Sequence, residues 1–165
     1  MDWQILPNTY NTKNSLNTTE ELIKLNIKPN NGIITLDIND LYTNLPTKGI
    51  IEATKHWLGQ STVSKEEKEQ IIPILENILQ QNYFQYNNLY YRLTKVVVMG
   101  SPLSGTLAEL FLQYLEKFYI KHWINSREIY FYTRYVDDIL VIYGVNLVTE
   151  EKISRHFNDI DSNLV

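Results

Sequence analysis

Arg134-Tyr135-Val136-Asp137-Asp138-Ile139-Leu140-Val141-Ile142 decides how this sequence is read. Two adjacent acids stand between two strand-forming runs, Ile129 to Val136 and Ile139 to Tyr143, rich in aromatic and β-branched residues. A hairpin with Asp137-Asp138 at its turn is the plain expectation, and Asp is common in turns without any function attached. A short hairpin adds presentation: carboxylates at its tip meet a cation with little side-chain freedom left to lose. Magnesium takes oxygen ligands in near-octahedral order and keeps several waters, which suits such a pair. Arg134, next to the acids, reads as a solvated hairpin residue rather than a ligand.

Upstream, Gly32-Ile33-Ile34-Thr35-Leu36-Asp37-Ile38 is a short apolar run after Asn-Asn-Gly and reads as a buried strand ending on a carboxylate. A charge there costs free energy unless something pairs with it. Asp37 therefore either caps the segment that follows or meets Asp137 and Asp138 in space, about 100 residues later. Like charges gathered closely favour a bound cation. Two magnesium ions about 3.5–4 Å apart on such a cluster are a common device for in-line phosphoryl displacement. Between the two acidic sites, Met99-Gly100-Ser101-Pro102-Leu103-Ser104 offers Ser101 as an N-cap and Pro102 as first helical residue. A helix start attracts phosphate, and Gly100 lets backbone approach a ligand closely.

The remaining elements follow from period and punctuation. Thr18 to Leu25 is a short amphipathic piece with Thr18 or Thr19 as its cap. Thr47 to Leu58 places Ile50, Ile51, Ala53, Thr54, Trp57 and Leu58 on one helical face. Ser64-Lys65-Glu66-Glu67 is a capping box, opening a helix expected to kink or restart at Pro73. Tyr83 to Leu93 reads as a hairpin turning at Asn87-Asn88. Leu107, Leu110, Phe111, Tyr114, Leu115, Phe118 and Tyr119 mark the clearest helix, and Ile153, Phe157 and Ile160 a last one from about Thr149. The mixed order predicts an α+β fold, an antiparallel sheet with helices packed on one face.

Composition bounds the rest. The 165 residues suit one domain, and 44% hydrophobic with 21% charged residues is ordinary for a globular chain. A net charge of -4 and a pI of about 5.4 are not those of a freestanding nucleic-acid binder. No cysteine is present, which excludes disulfides and thiolate zinc sites and fits an intracellular location, in nucleus or cytoplasm. No secretory signal and no membrane span are expected.

Three stretches carry a family resemblance. Leu36-Asp37-Ile38-Asn39-Asp40-Leu41-Tyr42-Thr43-Asn44-Leu45-Pro46 resembles motif A of reverse transcriptases, Met99-Gly100-Ser101-Pro102-Leu103-Ser104 resembles motif B, and Tyr135-Val136-Asp137-Asp138 resembles the motif C box. Order and spacing match. The Leu-Tyr-Thr-Asn-Leu-Pro continuation, the Met-Gly-Ser-Pro-Leu-Ser form and Arg134 before the box are most like Penelope-like retroelements. Val96, Gly105 and Glu109 depart from the pattern, which has Gly, Pro and Asn at or near those places.

The resemblance implies a polymerase palm that catalyses RNA-directed DNA synthesis with two Mg2+ ions, or Mn2+ in their place. Asp37 and Asp137 would be the principal metal ligands, Asp138 a nearby carboxylate, and the Ile38 carbonyl a further ligand. Tyr42 would lie under the incoming sugar and exclude a 2′-hydroxyl, and Gly100 and Ser101 would line the nucleotide pocket. Template-primer and dNTP would be the partners. By the same resemblance the 165 residues are a partial domain, a palm with little of the fingers and without the thumb, open to self-association. The alternative is a catalytically inactive palm that only binds nucleic acid or protein.

Overall fold

The computed structural model describes residues 10–81, 83–92 and 102–160. In chain order the elements are α1 (Ser15–Lys24), β1 (Asn31–Asp37), α2 (Leu41–Asn44), α3 (Thr47–Gln60), α4 (Lys65–Gln80), β2 (Tyr83–Tyr86), β3 (Leu89–Arg92), α5 (Ser104–Leu115), a π-helical turn (Glu116–Ile120), α6 (Lys121–Asn125), β4 (Ile129–Tyr135), β5 (Asp138–Gly144) and α7 (Glu150–Ile160). They form two compact units, residues 10–39 with 115–160, and residues 40–114. The crossings fall just after β1 and at the end of α5, where no linker composition marks them in the sequence.

The first unit is built on an antiparallel sheet of order β1-β5-β4. Ile34 pairs with Val141 and Val141 with Tyr132, so these side chains share one face. Helices cover that face: the Tyr132 ring stacks on Phe157 of α7, and its hydroxyl donates to Glu116 at 3.0 Å. The opposite face is open along β1. Gly32, Ile34 and Leu36 are half-buried while Ile33, Thr35 and Asp37 alternate outward, with Ile33 58% exposed. The expectation of a buried strand is corrected accordingly: β1 is half-buried on one side and exposed on the other. Beyond β4, the segment at residues 10–12 continues the hydrogen bonding, Arg134 N–H to the Tyr10 carbonyl at 3.0 Å and Thr12 N–H to the Arg134 carbonyl at 2.8 Å. α1 starts earlier than its Thr residues suggested. Asn14 is the cap, accepting from the Asn17 amide at 2.9 Å, and Thr19 instead donates back to the Ser15 carbonyl.

In the second unit α3 and α5 lie close enough for the Trp57 indole to donate to the Leu110 carbonyl at 3.0 Å. The Ser64–Glu67 capping box is formed in both directions, and α4 runs as one helix through Pro73 instead of restarting there. β2 and β3 pair as a hairpin with φ of 48° at Asn87 and 61° at Asn88, the two positive values a type I′ turn requires.

The long helix corrects the sequence reading most. α5 begins at Ser104, with Leu107 N–H bonding the Leu103 carbonyl, rather than at Pro102. After Leu115 the π turn inserts one extra residue, so the apolar row slips. Glu116 and Ile120 turn inward, while Phe118 and Tyr119, expected on the buried face, are 48% and 45% exposed. Among the described residues no helix is long and apolar enough to cross a membrane.

Two outcomes follow from this packing. Gly49→Ala would gain roughly 1 kcal/mol of helix propensity at an open site. Here a Cβ would sit 2.6 Å from Phe111 Cε2 and 3.0 Å from Pro46 Cγ, and Phe111 is buried. Overpacking costs about 1–3 kcal/mol, so the variant should melt several degrees lower, and a raised Tm would contradict the packing described. The second concerns His156, which packs against Trp123 with its Nε2 buried and without a partner among the described residues. Burial lowers its pKa below 6.5; Asp159 and Glu128 oppose that, and Lys152 reinforces it. The unfolded chain therefore takes up a proton that the folded one refuses, so stability falls as pH drops below 6.5. Thermal melts between pH 8 and about pH 5, above the carboxylate range, should show a slope that His156→Phe flattens.

Candidate active site

Asp37 ends β1 and Asp138 opens β5, and the two are direct cross-strand partners. Their side chains share the open face of the sheet, since the partners Leu36 and Ile139, one step along, belong to the covered face. Asp137 lies one residue earlier, in the turn, and its carbonyl accepts the Ile38 amide at 3.1 Å, which extends the β1–β5 ladder by one rung. Residues far apart in sequence are thus brought together at one end of the sheet. Asp37 and Asp138 are exposed and Asp137 is half-buried. As they stand, no three acidic or histidine side chains among the described residues are grouped so as to hold a metal ion. The chemistry of the donors nonetheless fits a hard divalent cation: three oxygen donors within two adjacent rungs, reached by solvent, with no lysine or arginine of the described residues bridged to them.

The turn itself is strained. Tyr135 pairs with Asp138, which leaves only Val136 and Asp137 to reverse the chain. Val136 has φ 57° and Asp137 a negative φ, the order found where glycine normally takes the first turn position. A β-branched residue there is an outlier, costing of order 1–3 kcal/mol, and persists only where its surroundings hold it.

The Val136 carbonyl is met by Arg134. The expectation of a solvated arginine is overturned: Arg134 is 1% exposed. Its Nε donates to Glu116 Oε1 at 2.7 Å, its Nη2 approaches Glu116 Oε2 at 3.4 Å, and its Nη1 donates to the Val136 carbonyl at 2.9 Å. Burial first, and then the Glu116 charge, push the Tyr132 pKa well above 10.0, so its hydroxyl stays a donor to that carboxylate. Alternation along β4 points Arg134 to the covered face, away from the acids. Nothing in the sequence singles out Glu116 as the partner of Arg134, since the same helical run also carries Glu109 and Lys117.

Tyr42 stands in the single turn α2 of the other unit, half-buried, just after Asp40, whose φ is 45°. Gly100 and Ser101 lie outside the described residues.

Like charges placed directly opposite on a sheet destabilise it by about 0.2–1 kcal/mol. In metal-free buffer of low ionic strength Asp138→Asn should therefore raise the Tm slightly, and the gain should shrink in 1 M salt. A lowered Tm at low salt would mean that the two carboxylates do not face one another.

Comparison with known proteins bears on the fold and the family. No curated protein matches the chain. Its fold is similar to that of apo telomerase from Candida tropicalis truncated from its C-terminal domain, with a TM-score of 0.66 at 15% identity over 92% of this chain and 32% of that one. It is also similar to telomerase from Candida albicans in complex with a TWJ fragment of telomeric RNA, with a TM-score of 0.67 at 12% identity over 92% of this chain and 29% of that one. The chain thus spans about a third of the length of these telomerases, and at such identities the likeness establishes the palm-type fold. The family model for reverse transcriptase (RNA-dependent DNA polymerase) matches residues 4–164, nearly the whole sequence, and the chain belongs to that family.

Proposed function

We propose that this chain is the palm of an RNA-directed DNA polymerase that adds deoxynucleotides to a primer 3′-hydroxyl, with two divalent ions on Asp37, Asp137 and Asp138. The observation that carries the reading is the pairing of Asp37 with Asp138 on the open face, with Asp137 beside them in the turn. Asp37 and Asp137 are the principal ligands, Asp138 the neighbouring carboxylate, and the Ile38 carbonyl a further oxygen. When bound, two magnesium ions, or manganese in their place, activate the attacking hydroxyl and support the leaving oxygens. The chain's own part is position and charge: two strands and a two-residue turn fix the carboxylates before substrate arrives. Tyr42 is assigned to the sugar, excluding a 2′-hydroxyl, and Gly100 with Ser101 to the template and incoming nucleotide. The motif forms in the sequence support a Penelope-like retroelement source, and the telomerase likeness supports an RNA template. Ile71, Ile74 and Ile78, exposed at three- and four-residue spacing on α4, support self-association.

A second reading, an inactive palm that only binds, is favoured by the net charge of -4. Primer extension separates the two. Purified protein, a primed RNA template, dNTPs and Mg2+ should give slow template-directed addition that is strongly salt-sensitive. Asp137→Asn should abolish it while leaving the circular dichroism spectrum unchanged, because the amide keeps the shape and removes the charge. Equal extension by both proteins would refute the proposed site, and template binding without extension by either would favour the second reading.

A further inference from the structure

The buried Arg134–Glu116 pair is the feature of the first unit that the proposed chemistry does not use. For stability alone an apolar pair of similar volume serves as well or better, since two charges must be stripped of water. What an apolar pair lacks is direction. Arg134 occupies its planar fork on two partners at once, the Glu116 carboxylate and the Val136 carbonyl. Its backbone is fixed as well, by the Tyr10 carbonyl and the Thr12 amide on the outer edge of β4. Glu116 is held by the Tyr132 hydroxyl and is the first residue of the π turn. A chain of contacts therefore runs from a helix irregularity, a feature frequent at functional sites, to the carbonyl of the one strained residue beside Asp137.

We propose that Arg134 is a positioning residue for the Asp137–Asp138 turn: anchored by Glu116, it holds Val136 in its left-handed conformation and so fixes the Asp137 carboxylate relative to Asp37. The metal-binding part of this rests on the reading of the three carboxylates as the ion site; the turn geometry does not.

Arg134→Lys tests it. A lysine keeps a positive charge beside Glu116, but its compact ammonium cannot span both partners. The Ile38 amide bonds the Asp137 carbonyl, so its hydrogen exchange reports whether the turn stays seated on β1. In the full 165-residue chain, Arg134→Lys should speed exchange at Ile38 about tenfold relative to Ile34 and Leu36, and should weaken Mn2+ binding, read by electron paramagnetic resonance, roughly 10-fold. Val136→Gly removes the need for restraint, so adding it to Arg134→Lys should restore both readouts. Unchanged Ile38 exchange in Arg134→Lys, or no rescue by Val136→Gly, overturns the proposal. Should Arg134→Lys fail to fold, Val136→Gly alone decides: the proposal requires equal or slower Ile38 exchange and a raised Tm, and faster exchange overturns it. Asp137→Asn is the control for the ion site. If it binds Mn2+ as the unmodified chain does, or if neither binds, the ion-site reading falls, while the exchange experiment still decides the role of Arg134.

Discussion

The register of β1 on β5 is the constraint from which the rest follows. Each residue from Asn31 to Asp37 has a fixed partner between Gly144 and Asp138, and strand side chains alternate between faces. A slip of one residue would turn Ile34 and Leu36 into water and bring Ile33, Thr35 and Asp37 against the helices. The apolar surface covered by Tyr132, Phe157 and their neighbours thus specifies where Asp37 ends. The acids do not set their own meeting; the core behind them does.

That arrangement separates two electrostatic environments by the thickness of one sheet. On the open side stand Asp37 and Asp138, hydrated and unpaired among the described residues. On the covered side the charges of Arg134 and Glu116 are buried and each satisfies the other. Neither works in the other's place. Carboxylates buried without a counterion would be costly, and a guanidinium on the open side would compete with any cation arriving there. The two-residue turn joins the sides, since the Val136 carbonyl reaches the buried arginine while Asp137 beside it is half-exposed.

Much of this was legible from local signals. The Asn87-Asn88 turn, the Ser64 capping box and the strand ending on Asp37 each rest on a few adjacent residues, and each stands where period and punctuation place it. The hairpin at the acids also stands where it is expected, but its reversal falls on Val136-Asp137, one residue before the expected Asp137-Asp138, because Asp138 already pairs with Tyr135 and Asp37 as the first residue of β5. What was not legible depends on distant partners or on backbone irregularity. Arg134 reads as solvated because its partner Glu116 is 18 residues away across a helix–strand packing. Phe118 and Tyr119 read as buried because a 3.6-residue period assumes an unbroken α-helix, and nothing in Glu116-Lys117-Phe118-Tyr119-Ile120 announces a wider turn. Pro73 reads as a kink or a restart, and α4 runs on through it as one helix. The two-unit division is silent for the same reason: its crossings lie beside ordinary secondary structure.

The β2–β3 hairpin behaves differently from all of this. Its strands have four residues each, and every one of the eight is exposed. A two-stranded ribbon of that length has marginal stability in water, supported here by the Phe84–Tyr91 stack and by Arg92 over the Tyr83 ring. Its opening breaks four cross-strand pairs and uncovers no core, so it is a local event with its own small free energy, separate from the cooperative melting of the sheet. The same protein thus joins a sheet end held by the core behind it to a tyrosine-rich ribbon held only by its own cross-strand pairs and ring contacts, so the two can lose their structure independently.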